Sequence, residues 1–548
     1  MFERLLLLLN TIKYLKIRQI VYRIYYRFRK VKVNDLNVYR KNEYLINPID
    51  WNGYSVASPS LFENKKARFL NKSQDISESN CWNAPTSEKL WLYNLHYMDD
   101  LNAVDSEDRI ELHKSHILRW ITENPAPFGN GWEPYTLSLR LVNLVKWCLK
   151  NTVKNQEIIA SIHQQGDALL QQVEYHILAN HLFANGKALF FVGCFFGGEI
   201  GQKFKRKGLE ILIPEFHEQF LFDGGHFERS PMYHSVMLWD VLETIDIARH
   251  LGNMNNDTKD WERVAVNGVS WLEAMCHPDG EISFFNDGAM GIAAKLSQIL
   301  DYAEVLNLQV AKNISPIRHL KHSGFTSMAK PNAFLVVNHA PIGPTYQPGH
   351  AHADTLSFEL SVFGERVFVN SGTSCYGDSV QRLKERETKS HNTVVVNSQN
   401  SSEVWDGFRV ARRASVLNVN VSGDNTLSKL KAEHDGYNRF FQNLNHERVF
   451  SLSEKDLAIQ DNITLSGQKS AAYYYLSPDV KINIISQFEY ELSLISSEIV
   501  RVISSNAMKL KNSEWYPEFG VVRQSKVIIV DFEKTQLMKI KWRDIEKS

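Results

Sequence analysis

The sequence predicts an α+β multidomain protein in which a helical domain precedes an antiparallel β domain, and three observations lead there. At 548 residues the chain exceeds what one hydrophobic core ordinarily supports. From about residue 88 to residue 320 apolar residues recur at helical spacing. Beyond that point short runs of alternating apolar and polar residues, separated by polar turns, take over. Hydrophobic residues at 43% and charged residues at 23% describe an ordinary globular protein and argue against disorder. The 62 Lys and Arg cancel the 62 Asp and Glu, so no overall field attracts nucleic acid, and attraction to a polyanion has to come from a local patch. Five scattered cysteines without a CxxC spacing give neither a disulfide framework nor a cysteine-based zinc site.

Residues 1–33 carry an apolar run, Leu5 to Leu9, that is too short to span a bilayer, follows an acidic Glu3 and precedes no small-residue cleavage site. Around it Leu, Ile, Val and Tyr recur at helical spacing among Lys13, Lys16, Arg18, Arg23, Arg27, Arg29 and Lys30, the pattern of a basic amphipathic helix. Such a helix either rests on an anionic membrane surface or docks on the body of the protein with its basic face in water. A cytoplasmic location, with peripheral membrane contact through residues 1–30, is the expectation; a periplasmic location is the alternative. Residues 34–87 show no strong period and read as an irregular extension across the helical domain.

Residues 88–320 read as helices over 90–100, 109–122, 135–150, 156–179, 181–196, 201–220, 232–250, 259–275 and 292–306, with Gly, Pro, Asn and Asp between them. Repeated helix pairs of this kind build solenoids or closed toroids. Residues 321–548 read as a large antiparallel β-sandwich or stacked sheets, from AFLVVNHA and TLSFELSVFG to QSKVIIVDF.

The densest chemistry lies in GHAHADTLSFE, where His350 and His352 fall on one face of an extended segment and can serve one site, as metal ligands or as one ligand beside one proton carrier. Asn370 and His391 follow in polar punctuation downstream. Upstream, Asn180 and His181 open a helix that Gly197 and Gly198 can end, with Asn185 one turn beyond His181 on the same face. Ser230 reads as an N-cap and Pro231 as the first helical residue, which puts Tyr233 in the first turn; the helix dipole there is expected to lower its pKa. Glu228 and Arg229 either pair with each other or orient neighbours, and both are candidates for holding substrate.

The blocks GNGWEPYTLSLRLVNLVKW, ANHLFANGKALFF, DGGHFERSPMYH, FFNDGAMG, PGHAHADTLSFEL and ERETKSHNTVVVNSQNSSEVWDGFRVARRA resemble the heparinase II/III-like family of bacterial polysaccharide lyases, in order from about Trp91 to Tyr475. The resemblance implies an incomplete (α/α) toroid followed by an antiparallel β-sheet domain, and β-elimination at a uronic acid of an acidic polysaccharide. It assigns Asn180 to the substrate carboxylate with His181 assisting, Tyr233 to proton donation at the leaving oxygen, and His350 to catalysis from the β domain. Arg386 is positioned in sequence to pair with a substrate carboxylate. His352, Asn370 and His391 fall where members bind a structural zinc ion, although the middle ligand is usually Asp and a neutral amide is the poorer ligand. YYYLSPDV departs from a histidine-containing strand of related chains. Relatives with a similar basic N-terminus suggest a role in surface-polysaccharide metabolism. Two other readings stay open: a glycoside hydrolase using Glu228 or Asp287, and a non-catalytic glycan-binding or assembly factor. Neither the glycan nor the oligomeric state is legible.

Overall fold

The computed structural model describes residues 2–49, 51, 53–250, 254 and 257–542. Its helices are α1 (Phe2–Ile12), α2 (Ile17–Phe28), α3 (Leu36–Arg40), α4 (Lys89–Tyr97), α5 (Ile110–Glu123), α6 (Pro134–Lys150), α7 (Gln156–Leu170), α8 (Ala179–Phe195), α9 (Gly198–Gln219), α10 (Pro231–His250), α11 (Asp257–Met275), α12 (Leu296–Val305) and α13 (Val380–Arg386). Helices α4 to α12 form the toroid, and α8 is its hub, packed against α6, α7, α9 and α10. A helix apolar all round belongs in a core, and every residue of α8 except His181 is buried. α8 and α9 touch almost backbone to backbone: a β-carbon on Gly208 would lie 2.5 Å from the Phe190 nitrogen, and one on Gly193 would lie 2.2 Å from that of Lys205.

The N-terminal helix of the sequence reading is in fact two, α1 and α2, and they lie on the protein as a strap. Tyr26 Oη donates to the Val173 carbonyl at 2.5 Å, and Arg18 covers the Tyr175 ring at 3.9 Å. Gln19, buried, donates to the carbonyls of Ile177 and Tyr346, both at 3.2 Å, so the strap ties the toroid to a loop of the β domain. Trp405 Nε1 donates to Thr11 Oγ1 at 3.1 Å further along the β domain. The segment 34–87, expected to be irregular, contains α3 and a three-stranded antiparallel sheet of Leu61–Phe62, Lys66–Phe69 and Lys72–Asp75. Strands of two to four residues rich in Lys, Ser and Gln carry too little alternation to show in a sequence.

The β domain begins with a five-stranded meander running from Ile317–Leu320 through Phe325–Lys330, Ala333–Asn338 and Phe358–Val362 to Glu365–Phe368. An eight-stranded sheet has the order Val416–Gly423, Leu427–His434, His446–Ser453, Asp456–Ile463, Thr535–Trp542, Ile499–Ser504, Glu489–Ser493, Lys481–Ser486. A four-stranded sheet holds Met508–Trp515, Arg523–Phe532, Ser470–Tyr475 and Val394–Val396. The inner faces share one apolar core that includes Phe358, Phe368, Phe450 and Tyr474. Arg448 is fully buried there, paired with Asp461, and its Nη1 donates to the carbonyls of Leu356 and Asn392, fixing loops that lead to the site below. Among the described residues no helix is long and apolar enough to cross a membrane.

Candidate active site

Four segments meet between the toroid and the β domain. The first is residues 171–178 with the start of α8. Helix α7 stops at Leu170, not at Ala179 as the periodicity suggests, and the chain enters α8 through left-handed conformations at Leu178 and Ala179, with φ of 69° and 54°. Such backbone costs energy in a non-glycine residue and persists where the surroundings enforce it. Asn185 enforces it: its Oδ1 accepts from the Glu174 amide at 2.7 Å and its Nδ2 donates to Glu174 Oε2 at 3.1 Å. Glu174 Oε1 then holds His181 Nδ1 at 2.9 Å, leaving Nε2 of the half-exposed ring turned to the cleft beside Tyr135, 4.3 Å away. Burial opposes the imidazolium, but the Glu174 charge outweighs it and raises the His181 pKa.

The second segment is residues 226–233. The Asn180 amide donates to Glu228 Oε1 at 3.2 Å. Among the described residues Glu228 Oε2 has no hydrogen-bond partner, and it lies 3.5 Å from His350 Nε2. Glu228 is buried, which pushes its carboxyl above the usual range, and its observed contacts are to Asn180 and His350 inside the site. Ser230 Oγ accepts from the Tyr233 amide at 3.1 Å, the expected N-cap, and donates to the Asp287 carbonyl. The Tyr233 phenol is not acidified as its position in the helix suggested. Burial raises its pKa well above the ordinary value, reinforced by Tyr376, Asp287 and Tyr135, and this outweighs the dipole of one helix end.

The third segment is the toroid loop at Asp287, ahead of α12, and the fourth is the β-domain stretch that carries His350, Tyr376 and Arg382. His350 stacks on Tyr233 with ring centroids 3.8 Å apart, and Tyr376 Oη meets Tyr233 Oη at 2.9 Å. Asp287 is the hub: Oδ2 accepts from His350 Nδ1 at 2.7 Å, Oδ1 faces His352 Nε2 at 2.8 Å, and both oxygens pair with the buried Arg382. Burial alone would raise the Asp287 pKa; the Arg382 charge and the hydrogen bonds from His350 and His352 hold it well below the usual carboxylate range. Asn180, Tyr233 and His350 are thus linked through Glu228 and ring stacking, with His181 beside them on Glu174 and the Tyr135 ring, in one cluster between the toroid and the β domain.

Two expectations are corrected. Arg229 sends Nε to the Ser323 carbonyl at 3.0 Å and Nη1 to that of Pro341 at 3.2 Å, so it ties the toroid to the β domain and holds no substrate. Arg386 is fully buried and spends its guanidinium on the carbonyls of Ala351, Asp406 and Arg409. The proposed zinc ligands are only partly together. His352 Nδ1 and His391 Nε2 face each other at 3.0 Å, but the Asn370 side chain accepts from the Asn392 amide and donates to the Phe284 carbonyl. Zinc sites take three or more protein ligands, and with Asn370 satisfied by backbone and His352 Nε2 on Asp287 the arrangement does not fit one. Among the described residues no group of three His, Cys, Asp or Glu side chains forms a metal cluster. Glu174, Tyr376, Tyr135 and Arg382 were not singled out by sequence; the nearest signal was the FFNDGAMG block for Asp287 and the proximity of Arg382 to Arg386.

Comparison with known proteins identifies the family of this fold. Residues 118–309 match the family model Heparinase II/III N-terminus, and residues 314–543 match Heparinase II/III-like, C-terminal. The chain belongs to the heparinase II/III-like family. Its relatives include a heparin-sulfate lyase of Pedobacter heparinus, 23% identical over 44% of this chain and 40% of that protein. The FtsZ-localized protein C of Caulobacter vibrioides is 23% identical over 71% of this chain and 65% of its own length. The chain therefore spans less than two-thirds of either relative. A solved structure of heparinase III has the same fold, with a TM-score of 0.70, 17% identity, and coverage of 94% of this chain and 88% of that one. The toroid followed by antiparallel sheets is thus the architecture of heparinase II/III-like proteins.

Proposed function

We propose that this heparinase II/III-like protein is a polysaccharide lyase that cleaves a uronate-containing glycan by β-elimination. What carries the reading is the neutral Tyr233 phenol stacked on an Asp287-backed His350, in one cleft with Asn180 and a Glu174-backed His181. The proton on carbon 5 of a uronate is weakly acidic, so the carboxylate has to be neutralised before a modest base can remove it. In this reading the Asn180 side-chain amide hydrogen-bonds the carboxylate and a protonated His181 supplies the opposing charge. His350 donates through Nδ1 to Asp287, and its Nε2, 3.5 Å from Glu228 Oε2, is the base in this reading. The electrons of the broken C5–H bond form the C4–C5 double bond, the C4–O4 bond breaks, and the Tyr233 hydroxyl protonates the departing O4. Its raised pKa keeps the proton on the phenol until O4 needs it.

The heparin-sulfate lyase relative supports an acidic glycosaminoglycan as the substrate class. The test is a panel of uronate polymers, heparan sulfate, chondroitin sulfate and alginate, followed by the ultraviolet absorbance of an unsaturated uronate. Reducing ends released without that absorbance would indicate hydrolysis and refute elimination. Glycan binding without any product would favour a non-catalytic role.

A further inference from the structure

The strap formed by α1 and α2 has two faces of opposite use. At 100° per residue, Ile17, Ile20, Val21, Ile24 and Phe28 fall within an arc of roughly 100° on α2, while Gln19, Tyr22 and Tyr26 lie on the opposite side. The second group is the docked one: Gln19 is buried, Tyr22 packs on Tyr175 with centroids 4.8 Å apart, and Tyr26 bonds to Val173. The first group is in solvent, with Ile17 and Phe28 each 80% exposed. The same division recurs on α1, where Phe2, Leu5, Leu6, Leu9 and Ile12 are exposed on one side, opposite Thr11, and the helix has no buried residue at all. An amphipathic helix docked on its own protein would turn these stripes inward. Here the polar and aromatic side is docked and the aliphatic side is presented outward.

Charge gives the occupant. Residues 1–33 hold nine Lys and Arg and one Glu, a net of +8, whereas the whole chain sums to zero, so the remainder carries −8. Despite this complementarity the strap makes one ion pair with the body among the described residues, Lys16 with Glu218 at 2.6 Å. Arg18, Arg23, Arg27 and Arg29 are exposed, and on the α2 wheel they flank the aliphatic stripe on both sides. Cations bordering an exposed aliphatic stripe are what an interfacial helix presents to anionic headgroups and acyl chains.

We propose that the outward face of α1 and α2 is a docking surface for an anionic lipid bilayer. Because Gln19 is hydrogen-bonded to Ile177, three residues before Asn180, and to Tyr346, four before His350, a bilayer bound there lies at one end of the cleft. A glycan chain leaving that bilayer would meet the site within a short reach. The inference stands apart from the lyase reading, since lipid binding is read without turnover.

The test is co-sedimentation of the full chain with vesicles of phosphatidylcholine alone and with vesicles of phosphatidylcholine and phosphatidylglycerol in equal parts. Binding to the anionic vesicles is expected to be at least ~10-fold stronger than to the neutral ones and to fall with added salt. The pair Ile20→Asp and Ile24→Asp, and separately Arg23→Glu and Arg27→Glu, should each abolish it while leaving the melting temperature unchanged, as all four side chains are exposed. Equal or absent binding to both vesicle types overturns the proposal. So does a lipid-free, concentration-dependent dimer that the Ile20→Asp and Ile24→Asp pair dissolves, which would make a second copy the occupant.

Discussion

His350 and Tyr233 lie face to face, with ring centroids 3.8 Å apart and planes inclined by 28°, although one comes from the β domain and the other from the first turn of α10. The contact makes the proposed base and acid neighbours across the domain boundary, and it fixes what removing either should do.

Replacing Tyr233 by Phe keeps the ring and the stack and removes only the hydroxyl. Its one side-chain partner is Tyr376, so stability should fall by about 1 kcal/mol or less. Elimination should drop by ~10²–10⁴-fold, the range that one general acid supplies. A loss of stability comparable with the loss of rate, measured by thermal unfolding beside chromophore release, would contradict the role.

Asp287→Asn is expected to damage both fold and function, because it leaves the fully buried Arg382 without its counter-charge; breaking such a pair costs about 3–5 kcal/mol. The folded-state pKa of Asp287 is depressed, so its contribution to stability is fully present above the unfolded carboxylate value of roughly 4 and is lost as pH falls through the lower folded value. Acid unfolding of the wild type should therefore be steeper below about pH 4 than that of the Asn variant.

Glu174→Gln removes the charge beside His181 and also turns one contact, to His181 or to Asn185 Nδ2, from acceptor to donor, so the readout is the pH dependence of the rate and not its size. The pKa of His181 is raised in the folded state, so the imidazolium contributes below the unfolded value of roughly 6.5 and is lost as pH rises through the folded one. If the imidazolium neutralises the substrate carboxylate, the alkaline limb of the pH–rate profile moves to lower pH in the Gln variant. An unmoved limb, with the rate merely scaled down, would show that His181 does not carry that charge.

The Asn370 amide bonds two backbone groups, so chelation should leave the melting temperature unchanged. In Asn370→Asp a carboxylate oxygen replaces the Nδ2 donor beside the Phe284 carbonyl, at a cost of about 1–3 kcal/mol. Zinc found at one ion per chain by elemental analysis, with stability lost on its removal, would restore the ligand set that the sequence suggested.

Gly208→Ala tests the toroid hub. The added methyl meets the Phe190 backbone, which cannot rotate away, and separating α8 from α9 should cost about 1–3 kcal/mol. The rate per folded molecule should hold, as measured by active-site titration against the melting curve.

The division of the chain near residue 320 was legible because the hydrophobic period changes there from helical to alternating, and the first strand of the β domain begins at Ile317. Asn180, His181, Tyr233 and His350 stood out as polar side chains interrupting apolar runs, but it was the family resemblance that assigned them to one site. Residues 171–178 were not, since Val173, Tyr175 and Ile177 sustain an apolar pattern and the turn is imposed from a distance by Asn185. Nor could sequence choose between Arg382 and Arg386: they are one turn apart on α13, both buried, and only the packing of the loop at Asp287 decides which meets a carboxylate and which meets carbonyls. The pKa of Tyr233 failed for a related reason, since helix position is visible in a sequence and burial by another domain is not.

In the eight-stranded sheet Thr535–Trp542 is the sole seam between two halves, pairing with Asp456–Ile463 on one side and Ile499–Ser504 on the other. Until that strand is inserted, a four-stranded and a three-stranded blade each present a long unpaired inner edge, the kind of surface that recruits foreign strands. A nascent chain emerging from the ribosome therefore carries its candidate site residues well before the segment that closes the sheet carrying Arg448, which braces the loops at Leu356 and Asn392. Shortening the chain before Thr535 should thus yield aggregation and not a weaker enzyme, and chaperone demand during synthesis should be concentrated on the interval between Ser504 and Trp542.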